Sequence, residues 1–422
     1  MAFAPKSLRE IRISVTSSFL TNHLNSATDS WALTNTDIHK IRALEYDDGG
    51  LKQDPIEDAA IQVRMYDKPA PIAGLRLGSY KFSMPIGGEF SNIHASTYMN
   101  FVSVALGGIA LPTTQRSAAV SATGSTTSNV AIATASSFVV AGQAILGGVR
   151  GDGRMGGEVR PIANVGASYI TPAYPFAAAP VEGDPVIFST TAYPDEDATQ
   201  LYMHSLGIGY GTSDQRQTIS GVPEVKISKL GIGELPQVDF EMKPADWQDV
   251  PAGDRATASS SAAYRGTPPA FDKGMGFVHF DDLTAQTRNV KSCGDFTVDP
   301  GIKHESIPGP AGINGITAWQ RVPAHATAEF KIVRAKPAST TDEDMPGLNA
   351  DYVGKVAKRA LLQFGHSNGK CVAIEIAQGY IAEAPTPDAL GAFAAVKIKL
   401  QTYENSAATT DITRAGFKIH GF

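Results

Sequence analysis

The chain has 422 residues, a formal net charge of −6, and 41 glycines and 26 prolines, which favour turns over long helices. With 36 basic against 42 acidic side chains it lacks the basic stripe of a nucleic-acid-binding protein, and no apolar run approaches the ~20 residues of a membrane helix. The two cysteines, Cys293 and Cys371, lie 78 positions apart, which excludes a disulfide scaffold and a cysteine-rich zinc site.

The N-terminal part predicts a short β-rich region with one helix. Residues 1–35 form a polar, irregular lead-in without a basic segment before an apolar stretch, so we expect no secretory signal. Residues 38–56 predict a hairpin that turns at Asp47–Gly50, because Asp and Gly tolerate positive φ. Residues 74–90 predict a strand, and Ser96–Leu106 predicts an amphipathic helix that lies on a sheet.

The composition changes over residues 117–188, which are rich in Ser, Thr, Ala, Val and Gly. Short apolar runs recur there at regular spacing between Gly and Pro, a pattern typical of a small all-β unit. Because strands of the preceding region resume after it, we predict an insertion in a surface loop, on the outside of the molecule and dispensable for folding.

The remaining chain predicts more strands on both sides of a linker. Glu224–Ile227 and Val238–Lys243 predict strands, and the Ser- and Ala-rich stretch 251–275 predicts the linker. Residues 276–422 form a second β-rich region, with its best helix candidate at Asp351–Gln363.

The two β-rich regions repeat one another weakly. Residues 78–86 correspond to 326–334, and residues 236–243 correspond to 394–401, with the same alternation of polar and apolar side chains. Such matches in one order at a nearly constant offset indicate two copies of one module, although chance similarity between strands of a β protein remains the alternative. Three anchor pairs, offset by 249, 251 and 248 positions, are Ile41/Val290, Leu51/Ile302 and Phe82/Phe330.

The predicted fold class is therefore mainly β, with two tandem β-sandwich or barrel modules that each carry a short helix, and a small all-β insertion domain. Module one is discontinuous and comprises residues 1–116 and 189–250. The insertion comprises 117–188, the linker 251–275, and module two 276–422.

One string has the pattern of a serine-hydrolase nucleophile elbow, Gly365-His366-Ser367-Asn368-Gly369. That elbow requires a helix after the serine, whereas Lys370–Ile376 alternates like a strand. We therefore predict a hairpin turn at Asn368–Gly369 instead of a catalytic site.

Other candidate sites are equally weak. Gly207–Gly211 lacks the lysine of a phosphate-binding loop, so it predicts a flexible loop. The acidic clusters 195–197 and 342–344 lack calcium-loop spacing, and the nine histidines are dispersed. We predict no catalytic residue, no cofactor and no metal site, and thus a protein that is not an enzyme.

Several strings resemble the long-tailed bacteriophage tail tube proteins whose subunits carry two tube modules. Gly142–Ile145 and Ala179–Val186 resemble the small β units found in such proteins, and Phe296–Lys303 resembles the second module. The resemblance implies a structural virion protein of the tail, assembled in the host cytoplasm. It also implies trimeric, pseudo-hexameric rings that stack into a tube, meet other tail proteins, have no contact with a membrane, and let DNA pass without specific binding.

The candidate functional residues are the polar positions of the duplicated strands. In a closed ring they face either the lumen or an outer layer, and a lumen should be negative overall so that DNA is not held. Two other functions remain open: another virion structural role, such as capsid or decoration, and an extracellular carbohydrate-binding or hydrolytic β protein. The candidate residues are Lys81, Ser83, Asp239, Glu241, Glu329, Lys331, Lys397 and Lys399.

Overall fold

The described part of this computed structural model is mainly β, as the sequence predicts, with 28 strands and three α-helices. The structure describes residues 9–16, 39–41, 45–47, 50–53, 75–86, 97–121, 124–147, 157–195, 203–210, 214–228, 237–251, 277–283, 290–323, 325–334, 345–366 and 371–422.

The described residues of the N-terminal region form seven short strands and one helix. In chain order these are β1 (Arg9–Thr16), β2 (His39–Ile41), β3 (Glu45–Asp47), β4 (Lys52–Gln53), β5 (Arg76–Leu77), β6 (Tyr80–Pro85), α1 (Thr97–Leu106) and β7 (Gly107–Ala110).

The next six strands form a separate antiparallel sheet in the order β8-β13-β10-β11-β12-β9. All of them lie between Ser117 and Phe188, the range that the sequence assigns to the insertion. Their inward side chains form their own core, which includes Val130, Ile145 and Val186. The strands are β8 (Ser117–Ala119), β9 (Val130–Ala131), β10 (Ala144–Gly147), β11 (Glu158–Val165), β12 (Tyr169–Pro172) and β13 (Pro185–Phe188), with a 3-10 turn at Ala135–Ser137.

Beyond the insertion the chain returns to the large sheet and then forms the C-terminal region. The strands before the linker are β14 (Thr190–Pro194), β15 (Met203–Tyr210), β16 (Asp214–Ser228), β17 (Gln237–Lys243) and β18 (Asp246–Pro251). The later elements are β19 (Phe277–Asp282), β20 (Val290–Asp299), β21 (Ile302–Ile313), β22 (Ile316–Pro323), β23 (Thr327–Val333), α2 (Met345–Gly354), β24 (Lys358–Phe364), β25 (Val372–Ile381), β26 (Thr386–Leu390), β27 (Phe393–Thr402), α3 (Asp411–Arg414) and β28 (Phe417–Gly421).

The strands of the two regions pair antiparallel in the same order, and in the second region the pairings form a closed cycle. The second cycle runs β20-β23-β27-β25-β24-β19 and returns to β20. The first cycle runs β3-β6-β17-β16-β15-β1 and returns through β2, which precedes β3 in the chain. Elements outside the cycles also correspond. In the first region β18 pairs with β16, and in the second β28 pairs with β25. The paired strands β4 and β5 precede β6, and the paired strands β21 and β22 precede β23.

The register of the central pairs is the same in the two cycles. Phe82 lies opposite Phe240, and Phe330, 248 positions after Phe82, lies opposite Ile398, 158 positions after Phe240. Both ends of α2 also lie 248 positions after the ends of α1. The offsets found in the sequence therefore connect residues with the same neighbours.

Alternation explains why these segments are strands. In β23, and in β17 from Val238 onward, every second side chain is buried and the residues between them are partly exposed. Because successive side chains of a strand point to opposite faces, one face of each strand joins a core and the other faces outward. That core is continuous through both cycles and contains Tyr80, Phe240, Phe330 and Leu400.

The structure corrects three local predictions. Lys52–Gln53 pairs with Arg76–Leu77 and not with the preceding strand, so the predicted 38–56 hairpin is wrong. Residues 9–16, predicted to be irregular, form β1, and the predicted loop at Gly207–Gly211 contains the end of β15. Pairing of β15 with both β1 and β16 supplies backbone hydrogen bonds that outweigh the low strand propensity of glycine.

The predicted helix Asp351–Gln363 is also wrong beyond Gly354. Lys355 has a φ of 50°, a left-handed conformation that stops the helix, and residues 358–364 form β24. All seven residues of β24 are buried between β19 and β25, so burial on both faces removes the alternation that identifies a strand.

The insertion is attached to the second cycle and is not an isolated surface loop. β14, which follows it directly, pairs with β7 on one edge and with β28 on the other. Leu146 and Val159 of the insertion share a small core with Leu361 and Phe422. Gln363 accepts a hydrogen bond from the Val159 N–H at 2.8 Å and donates to the Gly157 carbonyl at 2.7 Å.

Candidate functional site

All eight candidate residues lie on the polar face of the paired strands, opposite the core. β6 and β17 of the first cycle carry four of them, and β23 and β27 of the second cycle carry the other four. Neighbours such as Phe82 and Ile398 point the other way and are buried, at 2% and 1% exposure. The structure therefore brings the candidates together in two groups of four, one per cycle.

In the first cycle the polar face is held by cross-strand pairs. Lys81 lies directly opposite Glu241, with 3.2 Å between Nζ and Oε2. Ser83 Oγ donates to Asp239 Oδ1 at 2.5 Å. Partial burial alone would raise the pKa of Glu241, but hydrogen bonds from Ser79 and Lys81 outweigh it and hold the pKa below its ordinary value.

In the second cycle the same face carries more lysines, and each has a carboxylate partner. Lys397 lies 2.7 Å from Glu329, and Lys399 donates to Glu383 at 2.5 Å. Lys331 lies 2.9 Å from Asp295 and 3.2 Å from Asp388.

These ion pairs hold the lysines charged. Hydrogen bonds to Asp295 and Asp388 raise the pKa of Lys331, and the hydrogen bond to Glu383 raises the pKa of Lys399. The face therefore presents ammonium groups that are already neutralised by neighbouring carboxylates.

Equivalent positions of the two cycles carry reversed charges. Lys81 lies opposite Glu241, and at the same positions of the second cycle Glu329 lies opposite Lys399. The reversal does not extend to β16 and β18, because Glu375 and Lys418, 3.3 Å apart in the second cycle, occupy the positions of the uncharged Gln217 and Gln248. At the positions of Lys81 and Glu241 the two cycles thus keep an oppositely charged pair and exchange its signs.

The two cycles are joined edge to edge by one β-bridge. Ile227 in β16 pairs with Val298 in β20, and both side chains are buried, at 1% and 0% exposure. A concavity on the polar face runs across this joint, since Lys81, Glu224 and Asp239 of the first cycle line it together with residues between 299 and 303. The polar face is therefore continuous from one cycle to the next.

The hairpin β21–β22 reaches from the second cycle back onto the first. Trp319 Nε1 donates to the Ser220 carbonyl at 2.8 Å. Asn314 Nδ2, in the hairpin turn, lies 2.9 Å from the Ala245 carbonyl and 3.0 Å from Asp246 Oδ1. This clamp was not predicted, because nothing in the sequence of a hairpin indicates which distant backbone carbonyls it will reach.

The charges of the candidate residues and their partners on the polar face can be counted. The eight candidates contribute four ammonium groups and three carboxylates. Asp295, Glu383 and Asp388, which contact their lysines, add three carboxylates. These ten charged side chains therefore carry six negative against four positive charges.

A buried polar chain links the insertion side to the second cycle. His420 Nε2 donates to Glu375 Oε2 at 2.9 Å, and Thr191 Oγ1 lies 2.9 Å from His420 Nδ1 and 2.8 Å from Ser189 Oγ. The order hydroxyl, imidazole, carboxylate is that of a nucleophile activated by a base. Thr191 and His420 are both 0% exposed, so a substrate cannot reach the hydroxyl in this arrangement.

Burial and neighbouring charges determine the protonation states of His420 and Glu375. It lowers the pKa of His420, more than the hydrogen bond to Glu375 raises it, so the imidazole is neutral. Burial would raise the pKa of Glu375, but the charge of Lys418 and the hydrogen bond from His420 hold it below its ordinary value. An ionised Glu375 and a neutral His420 therefore lie side by side at a buried site, next to Lys418.

The structure also bears on the nucleophile-elbow string, the possible metal sites and Cys371. The string 365–369 lies between β24 and β25, which pair with one another. A strand therefore follows the string, whereas a nucleophile elbow requires a helix there. Ser367 itself lies outside the described residues. Within the described ranges no group of three or more His, Cys, Asp or Glu is placed to hold a metal ion. Cys371 is a free, buried thiol whose pKa is raised by burial.

No helix in the described part of the chain has the length and apolar character needed to span a membrane.

Comparison with known proteins identifies no relative: no protein-family model matches the chain, and no curated protein matches it significantly.

Proposed function

We propose that this chain is a tail tube subunit of a long-tailed bacteriophage, a structural protein of the virion without catalytic activity. Three chains form a ring of six modules, each module being one strand cycle with its helix, and the rings stack into a conduit for DNA. Assembly takes place in the host cytoplasm, and the finished tube meets other proteins of the tail.

The observation that carries the proposal is the joint between Ile227 and Val298. It connects the β16 edge of one cycle to a different edge, β20, of an equivalent cycle, so it is a head-to-tail contact. Repetition of a head-to-tail contact generates a ring when the rotation closes and a helical filament when it does not. A chain with two cycles already contains one such step, and three chains would supply six.

The polar face supports a passage that does not hold DNA. Each lysine among the candidates contacts a carboxylate, as Lys81 does with Glu241 and Lys397 with Glu329. A protein that neutralises many phosphates binds DNA tightly, and its affinity falls steeply with salt. The candidates and their partners, six carboxylates against four ammonium groups, supply few cations for that purpose, so we place this face toward the lumen.

Electron microscopy of the purified protein tests the proposal. Negatively stained samples, prepared over a range of protein and salt concentrations, should contain hollow filaments of constant diameter. Val298→Asp places a charge in the buried joint and should abolish filaments, whereas Thr297→Asp, on the exposed face of the same strand, is the matched control that should retain them. Closed shells, or monomers under every condition, would contradict the proposal.

A further inference from the structure

The internal joint uses the β16 edge of the first cycle and the β20 edge of the second. The corresponding edges at the two ends of the chain follow from the pairings. Val396 of β27 is the counterpart of Val238 in β17. Pro387 of β26 lies opposite Val396, and Ile227 of β16 lies opposite Val238. The strand β26 is therefore the counterpart of the end of β16. Glu329 of β23 is the counterpart of Lys81 in β6. Asp47 of β3 lies opposite Lys81, and Thr297 of β20 lies opposite Glu329. The strand β3 is therefore the counterpart of this part of β20.

We propose that β26 of one chain pairs with β3 of a second copy of this chain, repeating the internal joint between molecules. The proposal rests on the ring described under Proposed function and names the residues that close it. β26 is placed for this role, since four of its five residues are exposed and β27 is its paired neighbour among the described strands.

Side-chain chemistry makes the joint between chains weaker than the joint within the chain. Ile227 is followed by Ser228, and at the equivalent positions Pro387 is followed by Asp388. Proline lacks an N–H for a strand ladder, and charged or proline residues on an edge oppose further pairing.

The acidic side chains add a second obstacle. Antiparallel repetition of the joint places Asp388 of one chain opposite Asp47 of the next, whereas the same register continued from the Ile227–Val298 bridge places Ser228 opposite Thr297. Like charges directly opposite one another destabilise a strand pair. Lys331, 3.2 Å from Asp388 in the single chain, reduces this repulsion without removing it. The chain therefore stays monomeric when dilute and pairs at high concentration or in salt that screens the carboxylates.

Disulfide trapping tests the register directly. Opposite residues of antiparallel strands have Cα atoms about 4.5–5.5 Å apart, within the range that a disulfide bridges. Equimolar Asp47→Cys and Asp388→Cys chains, mixed and oxidised, should form a covalent dimer, and the double variant should form a ladder that ends at a closed trimer. Ser228→Cys with Thr297→Cys is the internal control and should cross-link within one chain, while the unsubstituted chain controls for Cys293 and Cys371.

The two proposals fail separately. Hollow filaments without a disulfide between the Asp47→Cys chain and the Asp388→Cys chain would overturn the β26–β3 pairing and leave the tube standing. A specific disulfide without hollow filaments would support the pairing and contradict the tube.

A graft of the internal joint gives a second measurement that needs no cross-link. Pro387→Ile with Asp388→Ser gives β26 the residues of β16, and the concentration needed for assembly should fall about fivefold, the effect of removing one unfavourable cross-strand pair. Circular dichroism should show an unchanged fold. An unchanged or higher assembly concentration would overturn the pairing.

Discussion

Phe82 stacks on Phe240 with ring centroids 5.1 Å apart, and the two residues lie directly opposite one another in β6 and β17. Phe82 and its counterpart Phe330 are both buried, at 2% and 0% exposure. Phe330 faces Ile398 across the strands, but it contacts two other rings, those of Phe280 and Phe296. Equivalent backbone positions thus support two different aromatic clusters, and each cluster should matter to stability.

Phe82→Ala and Phe330→Ala should each lower the free energy of unfolding by about 3–5 kcal/mol, because each leaves a cavity in the shared core. Urea denaturation followed by circular dichroism measures the change. Lys81→Ala, one residue from Phe82 on the polar face, is the matched control and should change it by less than about 1 kcal/mol. A loss of similar size in the control would mean that the two faces of β6 are assigned wrongly.

The reversed charges predict that the signs can be exchanged within one cycle. Lys81→Glu alone should place two carboxylates side by side and destabilise the chain by up to about 1 kcal/mol, the size of an exposed cross-strand pair. Adding Glu241→Lys recreates the arrangement of Glu329 and Lys399 and should recover most of the loss. A double-mutant cycle in thermal denaturation measures the coupling, and additive effects would show that the pair contributes nothing.

Stability should decline as the pH falls below about 6.5, the ordinary pKa of histidine. Burial lowers the pKa of His420, and burial with the nearby charge of Arg321 lowers that of His304 to about 3. Between the lowered pKa of each histidine and 6.5 the unfolded chain binds protons that the folded chain does not, so stability rises with pH there. Glu375 has a lowered pKa, so its contribution is lost only at more acidic pH.

His420→Gln removes one titrating group while keeping hydrogen-bonding atoms, so the fall in unfolding free energy between pH 6.5 and 4.5 should become less steep, by up to about 1.4 kcal/mol per pH unit. His366→Gln is the control, since His366 is partly exposed and is not a member of the hydrogen-bonded group Ser189, Thr191, His420 and Glu375. Denaturation curves at several pH values measure the slope. An identical slope in His420→Gln would show that His420 is protonated in the folded state.

Deleting residues 117–188 with a short Gly/Ser bridge should destabilise the chain, contrary to the expectation from sequence. Leu361 and Phe422 would lose the apolar partners Leu146 and Val159, and Gln363 would lose its hydrogen bonds to the insertion. Val181→Ser, at an exposed position of the insertion, should be close to neutral. Comparable melting temperatures for the deletion and the full chain would show that the contacts with the second cycle are dispensable.

The sequence predicts best those elements whose burial is one-sided. β6, β17, β23 and β27 alternate because one face meets the core, and α1 has an apolar stripe toward the sheet, so local pattern and fold agree. β24 was predicted to be helical because it is buried on both faces and has no alternation.

Long-range contacts could not be predicted in this way. The joint of Ile227 with Val298 and the clamp of Trp319 on Ser220 connect residues 71 and 99 positions apart, and no local propensity encodes them. The buried pair of Glu375 with Lys418 was missed because charged residues on alternating strands normally face water. The repeat gives no signal for this pair, because it assigns Glu375 and Lys418 to the positions of the uncharged Gln217 and Gln248.

A cryo-electron microscopy map of the assembled protein tests the central claim most directly. The account predicts a hollow tube of stacked rings, each with six strand cycles contributed by three chains, and with Lys81, Glu241, Glu329 and Lys399 facing a lumen of net negative potential. A ring of six chains would contradict the trimer, and a lumen of positive potential would contradict the low-friction passage. An assembly without a continuous lumen would contradict the tail tube itself.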